Sequence, residues 1–223
     1  LFFRFLDTLI MGEHLFKILV VGDVGAGKSC IINKYIRDEF SPNYKSTIGV
    51  DFGLKMLKIP SKDSNGKDVE KVVRLQFWDI AGQERFGNMT RVYYKDAVGA
   101  FVVFDQTRKK TYDGVARWKD DIDNKVWIRE NVPIPCVLLA NKDDLKDKKF
   151  PLSDDELKSF TDKNNFEECF KTSAKTGDNI DKAAKALVDA ILKEMGRDPS
   201  DEESDSEENS NFVLGKTPSE TTQ

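Results

Sequence analysis

Eight consecutive residues, Gly22-Asp23-Val24-Gly25-Ala26-Gly27-Lys28-Ser29, spell G-x-x-x-x-G-K-S between an apolar run and a helix-forming stretch. Those residue types in that order suit an anion. The glycines let the backbone curl, so that the N–H groups of Gly22, Val24, Gly25, Ala26 and Gly27 and the positive end of the next helix form a nest for phosphates. The Lys28 ammonium would then neutralise the β- and γ-phosphates of a nucleotide, and the hydroxyl of Ser29 would bind Mg²⁺. Cys30 follows directly and is counted with the nucleotide-binding residues.

Phosphates do not name the base. Asn141-Lys142-Asp143-Asp144 contains N-K-x-D, immediately after an apolar run at residues 134–140. The Asp144 carboxylate offers a pair of acceptors that match the N1–H and exocyclic N2–H₂ of guanine. Adenine presents a lone pair at N1 and would be rejected by the same group. The methylene stem of Lys142 can lie along the base. Ser173-Ala174-Lys175 follows the next strand-like run, and the Ala174 N–H can donate to guanine O6.

Between these two ends lies a third motif. Asp79-Ile80-Ala81-Gly82-Gln83 follows the run at residues 71–78. An Asp at the end of a strand can hold Mg²⁺ through water. The Gly82 N–H can reach a γ-phosphate oxygen, and Gln83 can orient an attacking water. Thr47, in a loop rich in Ser, Pro and Asn, can close over Mg²⁺ and the γ-phosphate. The metal set is therefore Ser29, Thr47 and Asp79, and the catalytic pair is Gln83 and Lys28.

The elements that must position these residues alternate between strand and helix. Residues 15–21 (LFKILVV) read as a buried parallel strand, and residues 28–37 as the helix after the glycine-rich turn. Residues 51–59 and 71–78 alternate apolar and polar around a turn cluster at 60–68 that contains Asn65-Gly66, which predicts a hairpin. Strands are expected at 100–104, 134–140 and 168–171. Val115, Trp118, Ile122 and Val126 predict a helix over 112–126. Ser153 and Glu156 form a capping box for a helix over 154–163. The last helix starts near Asn179, with Ile180, Ala184, Leu187 and Ile191 on one face, and ends at Gly196. About six strands and five helices result. They form a doubly wound α/β sheet with one antiparallel edge, which binds its ligand at the carboxyl ends of the strands.

Composition narrows the function classes. The 223 residues are 39% hydrophobic and 33% charged, enough apolar material for one core. The net charge of −4 is uneven: residues 197–223 hold eight acidic against two basic side chains, which leaves residues 1–196 at +2. A near-neutral body with an acidic tail argues against nucleic-acid binding driven by phosphate contacts. The acidic, Ser-rich tail over 197–223 is expected to be disordered. Three cysteines, Cys30, Cys136 and Cys169, form no disulfide framework and suggest the reducing cytosol. A single histidine excludes a His-rich metal site. Residues 1–10 are apolar but too short to span a membrane, and read as an extension before a domain at 11–196.

Together these residues resemble a small GTPase of the Ras superfamily, and the Rab family in particular, over residues 16–195. TIGVDF at 47–52, WDIAGQERF at 78–86 and Tyr93-Tyr94 are similar to the Rab switch signatures. Residues 87–105, with the run containing VLLANK, resemble the Rab branch tied to lysosome-related organelles. The resemblance implies a P-loop G domain with a six-stranded, mostly parallel sheet and helices on both faces. It implies binding of GTP and GDP with Mg²⁺, slow hydrolysis of GTP, and recruitment of effectors in vesicle trafficking. Phe40 would stack on the guanine edge, and Phe52, Trp78 and Tyr93 would form the aromatic triad that effectors read. An exchange factor, an activating protein and effectors are the implied partners of a monomer that is cytoplasmic and recruited to the cytosolic face of endomembranes.

Two residue patterns depart from the family. Val24 stands where Ras-type proteins carry glycine, so its side chain would crowd the region where Gln83 works. No cysteine follows Cys169, so no lipidation site is visible. The rival reading is a nucleotide-locked scaffold without useful turnover. Val24 favours it, while an intact Gln83, Thr47 and Asp79 favour the switch. Metabolic kinases are set aside, because no acceptor-substrate site or lid segment is apparent. No arginine finger is apparent in cis, so an activating protein is expected.

Overall fold

In a computed structural model, the described residues are 13–43, 45–62, 67–83, 90–148, 150 and 152–196. The expectations for residues 1–10 and 197–223, and for the part of the second switch motif at 84–89, lie outside them.

The chain opens with β1 (Glu13–Val21) and α1 (Lys28–Arg37). The antiparallel pair β2 (Val50–Lys62) and β3 (Asp68–Ile80) follows. Next come α2 (Thr90–Tyr94), β4 (Gly99–Asp105), α3 (Lys109–Asp113) and α4 (Val115–Asp123). A short ladder joins β5 (Trp127–Arg129) to β6 (Val132–Pro133). The chain then passes through β7 (Cys136–Asn141), α5 (Asp154–Lys163), β8 (Glu168–Lys171) and α6 (Ile180–Gly196). The main sheet runs β2-β3-β1-β4-β7-β8. Every neighbouring pair in it is parallel except β2–β3. This is the expected doubly wound sheet with one antiparallel edge.

The two-residue period of the central strands sorts their side chains onto two cores. Phe16, Ile18 and Val20 of β1 join Val103 of β4 and Leu139 of β7 beneath Ile31, Leu187 and Ile191 from α1 and α6. Leu19 and Val21 join Val102, Phe104 and Leu138 beneath Trp118, Ile122 and Leu157 from α4 and α5. With both faces covered, the central strands read as largely apolar runs, interrupted in β1 by Lys17.

Several elements differ from the sequence expectation. The helix over 112–126 is two helices meeting at Gly114, where a Cβ would stand 2.7 Å from an Asp23 carboxylate oxygen. It also ends at Asp123, because the next residues turn into the β5–β6 ladder. The hairpin strands are longer than 51–59 and 71–78, and Pro60 lies inside β2, opposite Glu70, and not in the turn. A proline is tolerated there because β2 is an edge strand, with no ladder on its outer side. The capping box forms as expected: Ser153 Oγ accepts from the Glu156 N–H, and Glu156 accepts from the Ser153 N–H at 2.8 Å.

The parallel strands β1, β3, β4, β7 and β8 end at one edge of the sheet. Each of the candidate motifs except the Thr47 loop leaves from one of those ends.

Candidate nucleotide-binding site

The loop from Gly22 to Gly27 joins β1 to α1, and Gly27 caps the helix with a left-handed φ of 100°. Below it the buried Lys28 ammonium folds back onto the loop, donating to the carbonyls of Gly22 (2.8 Å) and Asp23 (3.3 Å). Burial lowers the Lys28 pKa to about 8, against the opposing pull of Asp79 and Asp23. An anion beside this ammonium would favour its charged form and raise the pKa again.

Three oxygens from distant segments meet beside it. Ser29 Oγ lies 2.8 Å from Thr47 Oγ1 and donates to Asp79 Oδ2, which Thr47 Oγ1 also approaches at 3.3 Å. Asp79 sits at the end of β3 and is almost fully buried, and its Oδ1 has no hydrogen-bond partner among the described residues. Burial raises its pKa, opposed by the Ser29 hydrogen bond, the Lys28 charge and the Thr47 hydrogen bond. One carboxylate and two hydroxyls form a hard-oxygen donor set of the kind Mg²⁺ uses, with room left for phosphate and water. The orphaned Asp79 Oδ1 is a buried acceptor that such a cation or its water shell would satisfy.

Gly82 follows Asp79 closely enough that a Cβ on it would strike the backbone of Asp23 and Val24. Only glycine lets these two loops touch. Val24 and the exposed Gln83 consequently share the wall of one cavity of about 200 Å³, together with Gly25, Gly27, Lys28, Ser29, Cys30, Phe40, Thr47, Gly82 and Lys142.

Asp144, Ser173, Ala174 and Lys175 are not in that wall but are tied to it. Asn141 Nδ2 donates to the Ala26 carbonyl at 2.9 Å, joining the end of β7 to the phosphate loop. Asn141 Oδ1 accepts from the Ala174 N–H at 3.2 Å, so the donor expected for guanine O6 has a protein partner here. Ser173 Oγ donates to Asp144 and accepts from the N–H groups of Lys175 and Thr176, which turns the Ser173–Lys175 loop toward the carboxylate. Lys142 adopts a left-handed φ of 67° and pairs with the fully buried Asp105 at 2.7 Å.

The aromatic triad is partly assembled on the sheet. Phe52 and Trp78 are direct cross-strand partners, with rings edge-to-face at 4.6 Å and Phe52 about half exposed. Tyr93 lies on α2, packed against the same core as Trp78.

Sequence reasoning missed three contributors. Lys17 sits over the Trp78 ring at 3.4 Å. Trp118 Nε1 donates to Asp23 Oδ1 at 2.9 Å, fastening the phosphate loop to α4. Arg108 donates to the Val24 carbonyl at 2.6 Å. None belongs to a short motif, and only the strand register and the β4–α3 turn bring them near, so no local signal marked them.

Comparison with known proteins agrees with this geometry. The Ras family, described as such, matches residues 17–193. The chain is 51% identical over 190 residues to Ras-related protein Rab-32 of Mus musculus, covering 85% of this chain and 81% of that protein. It is 53% identical over 182 residues to Ras-related protein Rab-32A of Dictyostelium discoideum, covering 81% and 80%. Against Ras-related protein Rab-7L1 of Homo sapiens it is 44% identical over 186 residues, covering 83% and 87%. The rival scaffold reading is not favoured by these relationships. The chain binds guanine nucleotide, hydrolyses GTP and acts as a switch in trafficking, within a family whose members generally work through exchange factors, activating proteins and effectors. With the G-domain sheet, the converging phosphate, hydroxyl and N-K-x-D loops, and relatives that match over more than four-fifths of its length, the chain belongs to the Ras superfamily of small GTPases and, within it, to the Rab family.

Proposed function

We propose that the loops gathered at the sheet's carboxyl edge operate as a γ-phosphate sensor. The observation that carries this reading is the meeting of Ser29, Thr47 and Asp79 oxygens at one point. Ser29 belongs to the phosphate loop, Thr47 to the segment leading into β2, and Asp79 to the segment leading to Gly82 and Gln83. A ligand that adds or removes a γ-phosphate at this point changes what both segments can hold, which is the two-state element of a nucleotide switch.

In this proposal the Ser29 and Thr47 hydroxyls and the Asp79 carboxylate would hold Mg²⁺. The ion would supply neutralisation of phosphate charge. The Gly22–Gly27 amides and Lys28 bind and orient the phosphates. Gly82 donates its N–H to a γ-phosphate oxygen. Gln83 orients a water for in-line attack on the γ-phosphorus, so the protein contributes position and charge stabilisation. Asp144 reads guanine N1–H and N2–H₂, the Lys142 stem and Phe40 flank the base, and Ala174 shifts its N–H from Asn141 to O6.

Effectors meet the protein on Phe52, Trp78 and Tyr93 in the GTP state. Large, partly exposed aromatics beside a moving loop suit binding hot spots. The resemblance of residues 87–105 supports lysosome-related organelles as the route served. No helix among the described residues is long and apolar enough to cross a membrane. Recruitment to endomembranes would proceed through partners or a lipid anchor.

The test is to release the nucleotide from purified protein and identify it chromatographically, with and without chelation of Mg²⁺. Bound GDP or GTP whose release speeds up on chelation supports the assignment. Release indifferent to chelation would remove Mg²⁺ and the Ser29–Thr47–Asp79 cluster from it.

A further inference from the structure

Arg108 lies at the end of β4, on the residue that caps α3, far in sequence from any nucleotide motif. Its guanidinium donates to the Val24 carbonyl at 2.6 Å. A second guanidinium nitrogen lies 2.8 Å from the point where a Gly25 Cβ would stand. The same group faces the Asp105 carboxylate at 3.8 Å, and Asp105, fully buried, also holds Lys142 of the N-K-x-D motif at 2.7 Å. Asp105 is itself fixed, accepting from the N–H and the hydroxyl of Thr107 at 2.8 and 2.7 Å.

The atom that Arg108 binds makes this contact relevant to the phosphates. Val24 O and Gly25 N–H belong to one peptide group, and none of the described peptide bonds is cis. In a planar trans peptide, C=O and N–H point in opposite directions. Arg108 holding the carbonyl from the outer side therefore turns the Gly25 N–H toward the other side of the loop. Val24 and Gly25 line the nucleotide cavity, and Arg108 is not part of its wall. Gly25 has φ of +76°, where a peptide plane is easily rotated because glycine has access to several backbone wells. A cation on the carbonyl restrains that rotation, and it also strengthens the N–H as a donor, since linked hydrogen bonds polarise one another.

We infer that Arg108 is a positioning residue for nucleotide binding, which locks and polarises the Val24–Gly25 peptide so that the Gly25 N–H is aimed at the phosphates. Asp105 Oδ2 faces both the Arg108 guanidinium and the Lys142 ammonium, so one buried carboxylate links the phosphate loop to the base-reading loop. The inference rests on reading the loop from Gly22 to Gly27 as the phosphate site.

The test uses the full chain, ¹⁵N-labelled and loaded with GDP, as the parent and as Arg108→Gln and Arg108→Lys. The Gly25 amide proton shift reports the strength of that one donor, GDP release is followed by displacement of a fluorescent analogue, and thermal unfolding is followed in parallel. Arg108→Gln is expected to move the Gly25 amide upfield and speed GDP release roughly fivefold, the size of one half-exposed charge-assisted hydrogen bond. Arg108→Lys, which keeps a cation but not the fork, is expected to restore part of both. An unmoved Gly25 amide in Arg108→Gln overturns the inference, whether or not release or melting changes, because a merely structural arginine would alter stability without touching that donor. A parent whose Gly25 amide does not respond to nucleotide at all would instead overturn the phosphate-site reading beneath it.

Discussion

The Ser173 hydroxyl donates a 2.7 Å hydrogen bond to Asp144 Oδ1, joining two loops that leave neighbouring strands β7 and β8. This bond aims the carboxylate before any base arrives. Asp144→Asn is therefore expected to lose most GTP affinity and gain affinity for xanthosine triphosphate. An amide offers a donor where guanine also offers one, whereas xanthine offers an acceptor. A buried unpaired polar group costs about 1–3 kcal/mol, or roughly fivefold to more than a hundredfold in affinity. Competition binding with the two triphosphates checks it; a variant that still prefers GTP as the parent does would remove Asp144 from the base site.

Ser29→Asn is expected to favour the GDP or empty form. The Ser29 hydroxyl fits between Thr47 Oγ1 and Asp79 Oδ2, and a longer amide cannot replace it without crowding an ion held there. GTP affinity titrated against Mg²⁺ is the measurement. An unchanged Mg²⁺ dependence in the variant would exclude Ser29 as a ligand.

Turnover should be slow and should respond to two side chains in the same cavity wall. Intrinsic hydrolysis by small GTPases is on the order of 10⁻⁴ s⁻¹. The parent is expected at or below that rate, because Val24, 38% exposed, shares the cavity with Gln83. Val24→Gly should speed single-turnover hydrolysis and Gln83→Leu should slow it. A Val24→Gly rate no faster than the parent's would end the crowding argument.

Lys17 should tie the Trp78 environment to pH. Burial lowers its pKa from 10.5 to about 8, with Asp96 pulling it up and Lys95 pushing it down. Its ammonium lies over the Trp78 ring and donates to the Lys95 carbonyl at 2.7 Å. Indole emission is expected to shift with a midpoint near pH 8, and Lys17→Met should abolish that shift. The sign for stability follows from linkage. Below about pH 8 the lysine is charged both folded and unfolded. Between about 8 and 10.5 only the unfolded chain keeps the proton, so this group's contribution favours folding increasingly as pH rises. Denaturant midpoints of parent and variant across that window measure it; a Lys17→Met profile that rises as steeply as the parent's would contradict the assignment.

The sequence by itself determined the doubly wound sheet and the order of the chemical motifs. Buried parallel strands must be apolar on both faces, so residues 15–21, apolar but for Lys17, and residues 134–140 stand out, and the Ser153–Glu156 cap marks a helix start from side chains three residues apart. Phosphate-loop and base-reading motifs are legible for the same reason: each packs its chemistry into a few consecutive residues. What depended on contacts between distant residues was not legible. Gly114 divides a continuous helical pattern because Asp23, from the phosphate loop, fills the space a side chain would need. Pro60 stays in a strand because β2 happens to lie at the sheet's edge. Lys17, Trp118 and Arg108 reach the site through strand register and the packing of α4 and the β4–α3 turn, with no spacing in the chain to announce them. Tertiary structure alone decided which carbonyl Arg108 holds and which ring Lys17 covers, because both depend on the distance between atoms that the chain separates by more than fifty residues.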